Sequence, residues 1–339
     1  MQFFARTLST VAKKPKILVT RKIPQEAMDM LLKANVELVH WDKAAEAIPR
    51  DKLLQMVKGC DGAYVLLTEK INDEFFEAAG PQLKTVATMS VGFDHFDLDA
   101  CKKRGILCGY TPGVLHHTVA ELTMALLLCT SRRLPTAINS VKQGTWGTWE
   151  PLGYCGVDLK DRTVGIVGMG EIGYQVAKRL SGWGCRIVYS DPRRVDRAEK
   201  DCGAEYLSQE ELLKQSDFVT IHCALNKYTK NLMNMDKFKL MKPSAIFINT
   251  SRGPVVNQAD LTEALQKGII GGAGLDVTCP EPMSPNDPLL KMDNVVILPH
   301  IASASIRTRT RMGTIASECV LRGVFEGKVP QQWRVPGSY

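Results

Sequence analysis

Ten residues, Val164-Gly165-Ile166-Val167-Gly168-Met169-Gly170-Glu171-Ile172-Gly173, restrict what this chain can fold into more than any others. A strand with the apolar character of a buried one runs straight into Gly-x-Gly-x-x-Gly, and helical sequence continues from Gln175 to Leu180. Each glycine has a steric reason: Gly168 permits the tight turn, Gly170 lets backbone approach a diphosphate, and Gly173 lets helix pack on strand. Free N–H groups and the helix dipole favour an anion at such a helix start. The whole turn, Gly168, Met169, Gly170, Glu171, Ile172 and Gly173, is therefore the candidate dinucleotide cradle. Asp191 comes eighteen residues after Gly173, at the end of the predicted strand Arg186–Tyr189. An acid there takes the adenosine ribose hydroxyls, and its charge would repel a 2′-phosphate, which favours NAD. Arg193 and Arg194 follow and could hold that phosphate instead, so NADP stays open. A methyltransferase also opens on a Gly-rich first turn and is the competing reading of this segment.

The surroundings of the turn repeat its logic. Ile17–Thr20, Val36–Val39, Gly62–Leu66, Lys84–Thr88 and Ile106–Cys108 are predicted strands. Helices are predicted between them at Pro24–Ala34, Arg50–Lys58, Asn72–Ala79 and Leu98–Arg104. Thr111-Pro112-Gly113 breaks the alternation, and Thr118–Arg133 is a predicted helix followed by Pro135. A second alternating run extends from Thr163 to His300, and Ser303–Glu326 is again helical. The pattern implies an α/β chain with two doubly wound parallel-sheet domains.

Several function classes fall away. The longest apolar stretch, Leu122 to Cys129, is far short of the ~20 residues of a membrane span. Three of the seven net positive charges, Arg6, Lys13 and Lys14, precede the first strand, and the rest are dispersed. A nucleic-acid surface would gather them on one face. The ten cysteines are scattered with no Cys-x-x-Cys pair, so no metal site is indicated and a reducing compartment is the simplest expectation. Residues 1–13 are basic and acid-free, as in a mitochondrial targeting segment, or they form a plain tail; the cytoplasm and the mitochondrion are the expected locations.

Three segments carry candidate chemistry. Phe247-Ile248-Asn249-Thr250-Ser251-Arg252-Gly253 ends a strand on an arginine, and Gly274-Leu275-Asp276-Val277 leads to Pro280-Glu281-Pro282. Val295-Val296-Ile297-Leu298-Pro299-His300 ends a third strand on a histidine. In open α/β sheets the carboxyl ends of strands line the ligand crevice. With Ser90-Val91-Gly92-Phe93-Asp94-His95 and Thr118-Val119-Ala120-Glu121-Leu122, these segments resemble the D-isomer-specific 2-hydroxyacid dehydrogenases, from Lys16 to about Glu326.

The resemblance implies a Rossmann coenzyme domain over residues 114–302 and a flavodoxin-like substrate domain built from 14–113 and 303–339. It also implies NAD- or NADP-dependent reduction of a small 2-keto acid to the D-2-hydroxy acid. Arg252 would bind the substrate carboxylate, His300 would donate a proton to the keto oxygen, and Glu281 would pair with His300 and favour its imidazolium form. The N–H groups of Val91 and Gly92 would clamp the carboxylate, and Asp276 would orient the nicotinamide amide. Thr118, Cys223, Thr250 and Ser303 would line cofactor or substrate. Trp149, with Trp146, would lie on an arm that reaches the partner's site in a homodimer. Val65-Leu66-Leu67-Thr68, expected to line the substrate pocket, offers no base, which suits glyoxylate or hydroxypyruvate better than 3-phosphoglycerate. An NAD-sensing corepressor of the same fold is the rival from a different class.

Overall fold

The computed structural model describes residues 13–338, so the targeting segment expected over residues 1–13 lies, apart from Lys13, outside the described residues. The chain divides into two compact units, one running to Val114 and resuming at Ile306, the other spanning Leu115–Ser305.

The first unit holds five parallel strands: β1 (Lys16–Val19), β2 (Glu37–His40), β3 (Gly62–Val65), β4 (Thr85–Thr88) and β5 (Leu107–Gly109). Their order is β2-β1-β3-β4-β5, the flavodoxin-like arrangement. Leu18, Ala63, Val65, Val86 and Cys108 are fully buried, as strands covered by helices on both faces require. Short helices start on side-chain caps, Asn72 accepting from Phe75 N and Asp97 from Ala100 N, which satisfies N–H groups no helical carbonyl can reach. The helix Ile306–Glu326 lies against this sheet, with Val320 and Val324 beside Gly62. It begins three residues later than the sequence predicts, because Ala304 and Ser305 bond to Ile301 and Ser303 in tight turns.

The second unit is built on seven parallel strands: β6 (Thr163–Val167), β7 (Arg186–Ser190), β8 (Glu205–Tyr206), β9 (Phe218–Ile221), β10 (Ile246–Asn249), β11 (Gly272–Leu275) and β12 (Val295–Ile297). The order β12-β11-β10-β9-β6-β7-β8 reverses direction between β6 and β9. That reversal is the switch point at which a doubly wound sheet opens its ligand crevice. Phe218 and Phe247 are fully buried in the core beneath it, each side chain contributing about 1.5–3 kcal/mol by leaving water. The helix His116–Ser131 starts two residues before its predicted first turn and packs on the sheet and on the helix Glu171–Leu180.

Candidate active site

The turn after β6 has the shape the glycines foretold. Gly168 takes φ +94°, and a Cβ on it would lie 2.8 Å from the Cys223 nitrogen. A Cβ on Gly173 would come within 2.2 Å of the Gly168 carbonyl oxygen. Gly170 has the opposite surroundings, with no atom within 4 Å of where a Cβ would be. It caps the helix Glu171–Leu180 with no side-chain bond to the first N–H groups, leaving open space and unspent donors where a diphosphate belongs. These residues fit a dinucleotide.

Asp191 is half-buried beside this turn and helps to build it. Its Oδ2 accepts from Met169 N at 2.9 Å and its Oδ1 from Arg193 N at 3.2 Å. The two arginines part company. Arg194 is chelated by Glu199 at 3.0 Å through both Nε and Nη2 and lies over Tyr206. That hydrogen bond holds the Glu199 carboxyl below its usual range. Arg193 is exposed and its side chain makes no ion pair among the described residues, which leaves it the freer base.

Arg252, Glu281 and His300 converge in the same unit. His300 follows β12 with φ +56°, a left-handed conformation uncommon outside glycine that must be held by its surroundings. Its N–H donates to the Asp276 carbonyl at 2.8 Å. The Asp276 carboxylate then takes the next two N–H groups, Ile301 and Ala302, at 2.8 Å each. Burial pushes the Asp276 carboxyl up, and those two N–H groups pull the other way.

The imidazole is oriented by its own partner. His300 Nδ1 meets Glu281 Oε2 at 2.8 Å, and a carboxylate there makes Nδ1–H the donor. Nε2 is then the ring nitrogen that Glu281 does not engage. Glu281 Oε1 accepts from Thr278 N at 2.9 Å. Burial alone would raise the Glu281 carboxyl, but the His300 bond and charge, the Thr278 N–H and Arg252 together hold it below the ordinary range.

Arg252 sits on the turn after β10. Asn249 anchors that turn, donating to the Arg252 carbonyl at 3.0 Å and accepting from Ser251 N and Oγ at 3.0 and 2.9 Å. A Cβ on Gly253 would lie 1.8 Å from the Thr278 oxygen. Only glycine lets the arginine turn press against the segment that carries Glu281.

The remaining expected residues take varied places. Thr250 is buried, its hydroxyl 2.9 Å from Thr123 Oγ1, and Thr123 donates to Val119. Cys223 flanks Gly168, and burial pushes its thiol up to about 11. Thr118 lies in the first turn of its helix, and Ser303 is half-buried just past the His300 turn. Trp149 is 80% exposed and Trp146 64%. Val91 and Gly92 lie in the first unit, after β4. Among the other histidines, His222 is driven down to about 3 by burial and is tied to Thr220. No group of three or more potential metal ligands occurs among the described residues, and no described helix is long and apolar enough to cross a membrane.

Asn249, Gly253 and Thr278 were not foreseen as site residues. The signal for Asn249 was present, an Asx side chain on the last residue of a strand; Gly253 and Thr278 meet only in three dimensions.

The family model for the NAD-binding domain of D-isomer specific 2-hydroxyacid dehydrogenases matches residues 124–302. The human glyoxylate reductase/hydroxypyruvate reductase is 47% identical, covering 94% of this chain and 98% of its own. The glyoxylate reductase of Korarchaeum cryptofilum is 44% identical over 94% of this chain and 95% of its own. Among solved structures, an NADPH-dependent glyoxylate/hydroxypyruvate reductase from Sinorhizobium meliloti, in complex with NADP and malonate, superposes with a TM-score of 0.81. It is 31% identical and covers 96% of this chain and 98% of its own.

Proposed function

This chain belongs to the D-isomer-specific 2-hydroxyacid dehydrogenase family, and from that premise we propose that it reduces glyoxylate to glycolate and hydroxypyruvate to D-glycerate. The observation that carries the reading is the Glu281–His300 pair at 2.8 Å, in the same unit as Arg252 and the dinucleotide turn.

A nicotinamide dinucleotide held at Gly168–Gly173 supplies the hydride. Arg252 binds the substrate carboxylate and faces the keto oxygen with a charge-assisted contact worth about 1.5–3 kcal/mol. His300 in its doubly protonated form gives the Nε2 proton to that oxygen, a step worth about 10²–10⁴-fold in rate. Glu281 keeps the ring turned and favours the cation. The N–H groups of Val91 and Gly92 supply the second grip on the carboxylate. Intact Arg252, Glu281 and His300 favour catalysis over a corepressor role.

The cofactor is NAD in this reading. Asp191 places a carboxylate at the end of β7 and is already bonded to the glycine turn, so a 2′-phosphate would meet negative charge; Arg193 is the residue that moderates this preference. The protein acts as a homodimer in a reducing compartment, cytoplasmic or mitochondrial. Ile138, Val141, Trp146, Trp149 and Leu152 are all at least half exposed on one stretch of chain, and clustered exposed apolar side chains mark interaction surfaces. A second copy covers it and receives Trp149 near its substrate.

Following reduced-nicotinamide absorbance with NADH or NADPH, paired with glyoxylate, hydroxypyruvate or pyruvate, tests the proposal. Turnover is expected with glyoxylate and hydroxypyruvate and faster with NADH. No turnover in any pairing removes it.

A further inference from the structure

The turn after β4 contains a hydrogen-bond chain with no part in the chemistry above. Ser90 Oγ donates to the Gly92 carbonyl oxygen at 2.6 Å. A hydroxyl has a single proton to give, so in the 2.8 Å contact between Thr88 Oγ1 and Ser90 Oγ the donor is Thr88. Thr88 has then used its own proton, and in the 3.1 Å contact with His95 Nε2 the histidine must donate. The chain runs one way, from His95 through Thr88 and Ser90 to the Gly92 carbonyl, and it places a proton on His95 Nε2.

Two further facts give this chain meaning. Thr88 is 0% exposed and Ser90 4%, so water cannot replace a lost member, and a broken link leaves a buried polar group unmet. The N–H groups of Val91 and Gly92, bracketed by Ser90 and the pinned Gly92 carbonyl, have no protein acceptor among the described residues. Two successive free N–H groups on a fixed turn form a small anion-binding concavity. Thr111 N–H, bonded to the Ser90 carbonyl at 2.9 Å, ties the same turn to the chain beyond β5.

We propose that His95, Thr88 and Ser90 are positioning residues that hold the Val91 and Gly92 N–H pair for the carboxylate of the 2-keto acid; the inference rests on the reductase reading above. None of the three side chains acts on the reacting atoms. Their contribution is to binding shared by ground and transition states, so their loss raises KM and leaves kcat in place.

Thr88→Val conserves shape and removes the link, and Thr88→Ser restores a hydroxyl. For Thr88→Val we expect KM for glyoxylate to rise about three- to ten-fold, the range for one lost hydrogen bond. kcat and the NADH dissociation constant, read by fluorescence, are expected to stay within two-fold of wild type, roughly the noise of a remote substitution. Thr88→Ser should recover most of the KM. Ser90→Ala, which breaks the next link, should repeat the pattern if the valine disturbs folding. An unchanged KM in folded Thr88→Val and Ser90→Ala overturns the proposal. So does a parallel fall in kcat and cofactor affinity that Thr88→Ser does not correct, which would make the cluster a packing element. A wild-type enzyme that turns over no 2-keto acid would instead overturn the parent reading.

Discussion

Asp276→Asn changes one atom and probes how His300 is held. The carboxylate has an oxygen for each of the Ile301 and Ala302 N–H groups, both at 2.8 Å, in a side chain only 1% exposed. An amide accepts one of these bonds and turns its own N–H₂ toward the other donor. The loss is one charge-assisted hydrogen bond, about 1.5–3 kcal/mol, plus an unmet buried N–H. Part is offset because a buried charge is no longer desolvated, so the net cost is about 1–3 kcal/mol. For a unit of this size each kcal/mol lowers Tm by about 2–4 °C, giving a drop of roughly 2–12 °C. Turnover should fall as well, since the strained His300 backbone loses its support. The pH dependence has a definite sign. Burial holds the Asp276 carboxyl above its ordinary value, so the native state keeps that proton longer than the unfolded chain. This group's contribution to wild-type stability therefore declines as pH rises from the ordinary Asp range through the raised value, and the Asn variant lacks the decline. Thermal melts across pH and steady-state kinetics measure both. An Asn variant with unchanged Tm and kcat would refute the reasoning.

Other substitutions address separate parts of the site. Glu281→Gln should cut kcat about ten-fold or more by removing the charge that favours the imidazolium. The Glu281 carboxyl is depressed, so its stabilising pairing is complete above the ordinary Glu range and is lost as pH falls through the lower folded value; melts of variant and wild type should converge there. Asp191→Ser should weaken NADH and favour NADPH, whereas Arg193→Ala should weaken NADPH alone; titrations with both cofactors distinguish the two. Trp149→Asp, placing a charge on a residue 80% exposed, should shift sedimentation toward monomer, and an unchanged dimer would argue against the arm.

What could be read in advance was what local sterics and strand-end position dictate. The Gly168–Gly173 turn obeys contacts within a few residues of itself, so its shape was legible. Arg252 and His300 could be placed just past strand ends, and Glu281 a short loop beyond one, while the roles given to them come from the family resemblance. Asp276 shows the limit. The family resemblance assigns it to the nicotinamide amide, whereas in the structure its carboxylate caps Ile301 and Ala302, a pairing that exists only because β11 and β12 are neighbours. Asp191 was matched to a ribose, yet its bond to Met169 N crosses from β7 to the turn after β6. The need for glycine at position 253 is invisible in the sequence because the Thr278 oxygen that forbids a side chain there is distant in the chain.

His300→Gln removes the proposed proton donor and leaves the dinucleotide turn intact. Turnover of glyoxylate should fall about 10²-fold or more, the worth of a lost general acid, while NADH binds as it does to wild type. Wild-type turnover in that variant would show that the imidazole beside Glu281 is not the proton donor.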